Sequence, residues 1–202
     1  MNIFSWLKAL FSGFPDGPPP TSLKSSSPSK ASSTNAPSTP KATSPKHREK
    51  QLNTPNVSRG RTIVPKAIVL HHTSGNYSGS VAWCLDPASK VSYHCIVAKD
   101  GSRSVLADPD ERAWHAGVSS WKGRRDLNSW SVGAAFEGDT NKRQLNDTEM
   151  ESMVVYLLPI MKRYNLSLRD VTDHRIVSPG RKDDLAIGEF ARFKDYLAKR
   201  LA

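Results

Sequence analysis

A long run rich in Ser, Pro, Thr and Lys limits which part of this chain can fold. Residues 15–60 contain nine of the 14 prolines and almost no large apolar side chains. Such a segment cannot bury enough apolar surface to offset the entropy of ordering it, so we expect a disordered linker, extended where proline is dense. Residues 61–202 remain, and a chain of about 140 residues buries roughly two thirds of its unfolded surface. They are predicted to form one folded domain.

The first 14 residues have an amphipathic pattern. The apolar side chains at helical spacing are Ile3, Phe4, Leu7, Leu10, Phe11 and Phe14. The run is shorter than the ~20 apolar residues that span a bilayer, and it lacks the basic start and small-residue cleavage site of a clear signal peptide. Residues 1–14 are therefore predicted to be a helix that contacts a membrane surface or a partner. Packing on the folded domain is the alternative.

The positive charge is concentrated in the same part of the chain. Residues 1–60 carry eight Lys and Arg but two acidic residues, whereas the whole chain has a net charge of +10. A flexible polycation favours anionic polymers, so we expect residues 1–60 to contact the anionic cell envelope. A merely soluble linker is the alternative. No nucleic-acid-binding motif accompanies the charge, so no specific nucleic-acid partner is predicted.

The remaining sequence alternates strand and helix patterns. The predicted elements are a buried strand at 66–73, a hairpin at 90–107 that turns at 99–101, a short strand at 131–138, a helix that begins after Asn146 with Glu149 in capping-box spacing, and a helix at 187–201. This order predicts an α/β (α+β) domain with a central mixed sheet flanked by helices. Cys84 and Cys95 match no zinc or redox motif, so they are predicted to be buried thiols, with a disulfide left open.

Three potential metal ligands lie at the ends of predicted elements. His71 and His72 end the first strand, where successive side chains point to opposite faces, so only one of them can reach a given site. His174 and Asp184 flank the loop "HRIVSPGRKDD". Two histidines and one carboxylate, with a fourth position open to water, are the ligand pattern of catalytic zinc. The spacing is compatible with a zinc site, although a scattered histidine is more often structural.

Four motifs around these residues carry a family resemblance. They are "IVLHHT", "VSYHCIVAKDG", "RAWHAGVSSWKGRRDLNSWSVG" and "DHRIVSPGRKDD". Together they resemble the zinc-dependent N-acetylmuramoyl-L-alanine amidases of the type-2 amidase and peptidoglycan-recognition-protein superfamily, over about residues 65–198. The third and fourth motifs are most similar to muropeptide-recycling amidases. The resemblance implies one zinc ion and hydrolysis of the amide bond between N-acetylmuramic acid and the L-alanine of the stem peptide.

The resemblance also implies roles for individual residues. By motif, His71, His174 and Asp184 match the zinc ligands, and Asp183 is the alternative if the loop register shifts. Lys182 matches a lysine that stabilises the oxyanion, as a cation can where negative charge develops.

The general base is where this sequence departs from the recycling amidases. They carry a glutamate in the pattern S-I-G-I-E, where this chain has Ala135. Similar short phage amidases also lack that glutamate and use a tyrosine, which Tyr93 supplies here. We therefore predict Tyr93 and Lys182 as the catalytic pair, with Glu137, two residues beyond Ala135, as the alternative.

The third motif lies along the substrate groove in the family. His115 is therefore a candidate substrate contact, although it can equally serve as a hydrogen-bonded residue that holds a long loop. Trp114 is a candidate groove wall, and Arg124 and Asn128 are weaker candidates for binding the stem peptide. His94 follows Tyr93 in the strand, so it is predicted to point to the other face and to belong to the core.

The predicted function is a peptidoglycan amidase, expected to be a monomer. Residues 1–60 favour a phage or prophage endolysin, or an envelope amidase, acting on peptidoglycan in the periplasm or cell envelope. A cytosolic muropeptide-recycling amidase needs neither the helix nor the linker, and it remains an alternative. The absent glutamate leaves a second alternative, a non-catalytic peptidoglycan-binding module.

Overall fold

The computed structural model describes residues 48–201. Its strands are β1 Glu49–Gln51, β2 Val57–Thr62, β3 Ala67–His72, β4 Cys95–Val97, β5 Arg103–Val105, β6 Glu111–Ala113, β7 Ser120–Trp121, β8 Arg124–Arg125, β9 Ser131–Phe136 and β10 Val171–Asp173. Its α-helices are α1 Tyr77–Leu85, α2 Asp147–Tyr164, α3 His174–Val177 and α4 Ile187–Leu201. The predicted helix at 1–14 and the linker up to residue 47 lie outside the described residues.

A six-stranded mixed sheet forms the centre of the described domain, in the order β1-β5-β4-β9-β3-β10. β4 and β5 form the predicted antiparallel hairpin, and every other neighbouring pair in this sheet is parallel. The predicted class, a mixed sheet flanked by helices, is therefore confirmed. β3 lies between β9 and β10, so the strand that ends in the histidine pair occupies the interior of the sheet.

The two longest helices cover one face of the sheet. α2 begins with the predicted capping box of Asn146 and Glu149 and continues through Pro159, which lies on its exposed side. Apolar side chains of α2 and α4 pack against alternate residues of β3 and β9, including Ile68, Leu70, Val132, Ala134 and Phe136. This alternation means that the other residues of the same strands point to the opposite face.

The opposite face is covered by shorter elements and loops. α1 packs through Cys84 against Ile96 of β4 and Ala135 of β9. Ala67 and Val69 of β3 pack against Ala116, Leu127, Trp130 and Val177. These segments include the loop that carries His115, so this second face of the sheet also carries the candidate site.

The predicted boundary at residue 60 is wrong, because residues 48–60 already belong to the folded domain. β1 pairs in parallel with β5, and Val57 in β2 is buried. The buried side-chain amide of Asn56 also donates to the backbone carbonyls of Cys84, Asp86 and Val91. Polar hydrogen bonds, which a composition-based prediction does not detect, therefore fix this segment.

Two further findings concern the described range. Cys84 and Cys95 are both free and buried, so the predicted thiols are confirmed and the disulfide is absent. Between residues 48 and 201, none of the helices combines the length and the apolar character that crossing a membrane requires.

Candidate metal centre

Three side chains from two neighbouring strand ends and one loop converge on one point. His71 is the penultimate residue of β3, and His174 follows directly after β10, which pairs with β3. The Nδ1 atoms of the two histidines are 3.0 Å apart, and each lies 3.2 Å from Oδ2 of Asp184. All three residues are buried, with at most 5% of each exposed.

The spacing and chemistry of these atoms fit a zinc ion. Zinc bonds of about 2.0 Å in a tetrahedron separate the ligand atoms by about 3.3 Å. Nε2 of His174 lies 3.1 Å from the carbonyl oxygen of Ala116, which can only accept, so this nitrogen carries the proton and Nδ1 presents a lone pair. A lone pair and a carboxylate that face each other in a buried site repel unless a cation lies between them.

The protonation states suit metal ligands as well. Burial, with a smaller effect of His174, lowers the pKa of His71 to about 3, so its imidazole is neutral near pH 7. Burial alone would raise the pKa of Asp184, but its contacts with His174 and His71 hold this pKa well below its usual range. Because metal ligands must be deprotonated, neither group requires proton loss at neutral pH.

The neighbours of the ligands face elsewhere, as the sequence predicted for His72. Nδ1 of His72 accepts from the backbone N–H of Thr140 and lies 2.9 Å from its hydroxyl, on the far side of β3. Asp183 is exposed, and its carboxylate accepts from Asn141 at 3.3 Å. The structure therefore brings Asp184, rather than the alternative Asp183, to the two histidines.

Tyr93 and Lys182 flank the converging ligands. The ring of Tyr93 lies 5.0 Å from the ring of His71, centre to centre. Burial raises the pKa of Tyr93 well above its usual value, so the phenol is protonated at neutral pH. Lys182 is half-buried two residues before Asp184; burial lowers its pKa, and Asp184 opposes this shift.

Glu137 binds another part of the domain. Its carboxylate accepts from the backbone N–H of Lys99 at 3.0 Å, at the turn of the β4–β5 hairpin. Ala135 occupies the position in register with His71 on β3 and Ile96 on β4, and it is fully buried. Of these three aligned residues, His71 alone is polar.

The candidate substrate residues have different environments. Asn128 is buried and its side-chain oxygen accepts from the backbone N–H groups of His115 and Ala116. Trp114 donates its indole N–H to Ser58 at 3.0 Å. Arg124 is exposed and lies 4.4 Å from the centre of the Trp130 ring. Arg124 is therefore the candidate whose charged group faces solvent.

Arg181 is a residue that the sequence interpretation missed. Its Nη2 donates to the carbonyl oxygens of Ala116 and Val118 and to Oγ of Ser178, at 2.6 to 2.8 Å. The intervening Gly117 has a φ of +57°, and a Cβ there would lie 3.4 Å from this guanidinium. Arg181 thus clamps the segment that accepts the His174 proton. Its position next to Lys182 in a recognisable motif was the available signal.

Within residues 48–201, the mixed sheet thus carries one buried set of two histidines and one carboxylate that could hold a metal ion. The profile described as N-acetylmuramoyl-L-alanine amidase matches residues 60–186. The chain belongs to this amidase family.

Individual relatives support the assignment. The 1,6-anhydro-N-acetylmuramyl-L-alanine amidase AmpD of Citrobacter freundii is 34% identical over 106 residues, which are 52% of this chain and 56% of AmpD. The N-acetylmuramoyl-L-alanine amidase AmiD of Escherichia coli K12 is 27% identical over 149 residues, 66% of this chain and 53% of AmiD. The chain therefore spans little more than half the length of these relatives.

Solved structures of amidases share this fold. A crystal structure of a selenomethionine AmpD derivative has a TM-score of 0.61 at 26% identity, covering 75% of this chain and 94% of that one. A complex of Escherichia coli AmiD with anhydro-N-acetylmuramic acid-L-Ala-D-γ-Glu-L-Lys has a TM-score of 0.56 at 24% identity, covering 67% of this chain and 60% of that one. The second likeness concerns the fold alone.

Proposed function

We propose that this protein is a zinc-dependent amidase that hydrolyses the bond between N-acetylmuramic acid and the L-alanine of the peptidoglycan stem peptide. The observation that carries the proposal is the buried convergence of His71, His174 and Asp184, with ligand atoms 3.0 to 3.2 Å apart. Family membership supports the reaction, and the names of the relatives AmpD and AmiD, both amidases of N-acetylmuramic acid linked to L-alanine, support the substrate class.

The three converging residues would hold the zinc ion. When bound, zinc lowers the pKa of a water molecule and polarises the carbonyl of the scissile amide. The protein contributes the geometry: the Ala116 carbonyl orients His174, and Oδ2 of Asp184 lies 3.2 Å from Nδ1 of both histidines. Because the site is buried, these ligands act in a medium that screens charge weakly.

Lys182 and Tyr93 are assigned to stabilise the reacting group, by charge and by hydrogen bonding respectively. Lys182 would place a cation near the carbonyl oxygen, where negative charge develops as the amide is attacked. The phenol of Tyr93 stays protonated, so it would donate a hydrogen bond to the reacting group rather than remove a proton from it. Glu137 is the alternative catalytic residue and would act as a proton acceptor instead, and its bond to the Lys99 N–H makes it the weaker candidate.

Among the candidate substrate contacts, Arg124 has the strongest support. An exposed guanidinium stacked on Trp130 is suited to a carboxylate of the stem peptide, because stacking leaves the N–H groups free to bind it. Trp114, His115 and Asn128 would support the groove from within, because each donates or accepts hydrogen bonds inside the domain.

One observation favours a second function, a peptidoglycan-binding module without activity. Ala135 is buried against Cys84, Ile96 and Leu106, so this position supplies no carboxylate to the centre. If the reaction requires a carboxylate base, the retained ligands would serve binding alone. The roles of Tyr93 and Lys182 decide between the two functions.

We further propose that the enzyme acts on polymeric peptidoglycan in the cell envelope, as an endolysin or envelope amidase. The support is the sequence of residues 1–60, where eight basic residues oppose two acidic ones. Such a segment raises the local concentration of a protein on an anionic wall or membrane. A preference for small soluble muropeptides would instead favour the recycling role.

Mass spectrometry of digested peptidoglycan tests both proposals. The full-length protein is incubated with purified sacculi and, separately, with soluble anhydro-muropeptides, each with zinc and with a chelator. The expected result is release of stem peptides with a free L-alanine amino terminus, in zinc only and faster from sacculi. Binding to sacculi without any release would favour the binding module, and release from soluble muropeptides alone would contradict the envelope role.

A further inference from the structure

A third histidine contacts the candidate metal centre from behind. His115 is buried, and its Nδ1 lies 3.1 Å from Nε2 of His71, on the side of the ring opposite the ligand atom. The two rings meet edge to face, with centres 5.2 Å apart and an angle of 81°. One nitrogen of His71 thus faces the convergence point, and the other faces His115.

The hydrogen bonds beyond His115 indicate which ring nitrogens of His115 and His71 carry a proton. Nε2 of His115 lies 3.4 Å from the carbonyl oxygen of Ser131, and the Ser131 hydroxyl donates to the Leu127 carbonyl. The Ser131 hydroxyl oxygen also lies 3.4 Å from Nε2 of His115, and because its own proton is given to Leu127, both Ser131 oxygens accept from Nε2. Nε2 therefore carries the proton of a neutral ring. Nδ1 of His115 is then an acceptor, and Nε2 of His71 must be the donor.

We propose that His115 is a positioning residue that holds His71 in the tautomer with a lone pair on Nδ1, aimed at the metal. The inference rests on the zinc site of the proposed function and adds a residue to it. A ligand histidine whose second N–H is accepted by a neighbour is fixed in both tautomer and ring orientation. His115 provides that acceptor with a neutral ring, where a carboxylate or a carbonyl is the more usual partner.

Gly133 makes room for this arrangement. A Cβ at position 133 of β9 would lie 2.3 Å from Cγ of His115 and 2.5 Å from its Nδ1. The glycine N–H is bound by Nδ1 of His94 at 2.9 Å, so the strand cannot easily withdraw. The backbone of His115 is fixed too, through its N–H bond to Asn128. The ring therefore occupies a slot that only a residue without a side chain leaves open.

The direct test is nuclear magnetic resonance of the full-length protein, labelled with ¹⁵N at histidine and loaded with zinc. We expect a ¹⁵N–¹⁵N coupling across the hydrogen bond between Nε2 of His71 and Nδ1 of His115, with the proton on His71. A proton on Nδ1 of His71 in the zinc-loaded protein, or a missing coupling, would overturn the proposal. This readout requires no variant and no enzymatic activity.

Two substitutions then measure the effect on metal affinity. His115→Leu removes the acceptor and should weaken zinc binding by about 10- to 100-fold, the range for partners of ligand histidines. His115→Asn places a side-chain oxygen near the position of Nδ1, so it should bind zinc within about threefold of the native protein by the same principle. Zinc affinity is measured by competition with a chromophoric chelator, and apo-protein melting identifies unfolded variants.

Gly133→Ala provides a variant that displaces His115 without removing its nitrogen. It should weaken zinc binding alone, but add little to His115→Leu, because both changes break the same bond. Native affinity in a folded His115→Leu variant, or independent effects of the two changes, would overturn the positioning role. Failure of the native protein to bind zinc would overturn this role and the proposed metal site together, whereas zinc binding without amide cleavage would contradict the proposed activity alone.

Discussion

Asp184→Asn should nearly abolish the stabilisation of this protein by zinc, whereas the same change at the neighbouring Asp183 should not. The carboxylate of Asp184 lies 3.2 Å from Nδ1 of each ligand histidine, while Asp183 is exposed and contacts Asn141. Asparagine preserves the shape of either side chain but removes its charge. The two adjacent positions therefore form a matched pair.

The magnitude follows from linkage. A ligand at 100 times its Kd stabilises the folded state by about 2.7 kcal/mol. A domain of roughly 150 residues has an unfolding entropy of about 0.3 kcal/mol per kelvin, so its Tm should rise by about 9 °C. Loss of a direct ligand should lower the zinc affinity by at least about 100-fold, which is the largest effect seen when an outer-shell partner of a ligand is removed. At the same zinc concentration, Asp184→Asn would then retain about 0.4 kcal/mol, or roughly 1 °C.

Thermal unfolding followed by circular dichroism, with zinc and with a chelator, measures these shifts. The native protein and Asp183→Asn should show the full rise in Tm, and Asp184→Asn should show almost none. In chelator, Asp184→Asn should melt no lower than the native protein, because its amide can donate to Nδ1 of either His71 or His174. Equal zinc shifts in the two variants would refute the ligand assignment, as would the absence of a shift in the native protein.

Three further outcomes are expected. Tyr93→Phe should lower kcat for stem-peptide release by about 10²- to 10³-fold, as loss of one oxyanion donor does, while Glu137→Gln stays near native; the reverse order would assign the role to Glu137. Burial lowers the pKa of His94 to about 4, so as the pH falls this histidine is protonated in the unfolded chain before it is protonated in the folded one. The free energy of unfolding should therefore fall by about 3 kcal/mol between pH 6.5 and 4. Urea unfolding of His94→Gln should show a smaller loss of stability over this pH range. Arg143→Met should cost about 3–5 kcal/mol in urea unfolding, because it leaves the fully buried Glu149 carboxylate without its ion pair, and adding Glu149→Gln should recover part of this loss.

The sequence predicted the parts of the structure that have a local signal. The period of two in β3 separated His71 from His72, and the structure gives them different neighbours on opposite faces. The capping box placed the start of α2 correctly, since Asn146 and Glu149 bind each other's backbone N–H groups. In both cases a few adjacent residues determine the outcome, so no knowledge of the tertiary fold was needed.

Features that depend on contacts between distant segments could not be predicted in this way. Residues 48–60 resemble a linker in composition, yet β1 pairs with β5, about 50 residues later. The slot that Gly133 leaves for His115 is another case, because the glycine lies in an ordinary-looking strand. Neither feature has a periodicity or a motif of its own. Both depend on tertiary packing.

The residues aligned with His71 in the sheet show why the loops are important for the proposed reaction. His71, Ala135 and Ile96 lie side by side on β3, β9 and β4, so these three strands supply one polar group at this level of the sheet. Every other group proposed for the reaction comes from a flanking segment: Tyr93 precedes β4, and Lys182 follows α3. In a protein that keeps a glutamate at position 135, the rigid sheet would hold the base. In this protein, precision must come from the hydrogen bonds that fix the loops, because a loop otherwise samples many conformations.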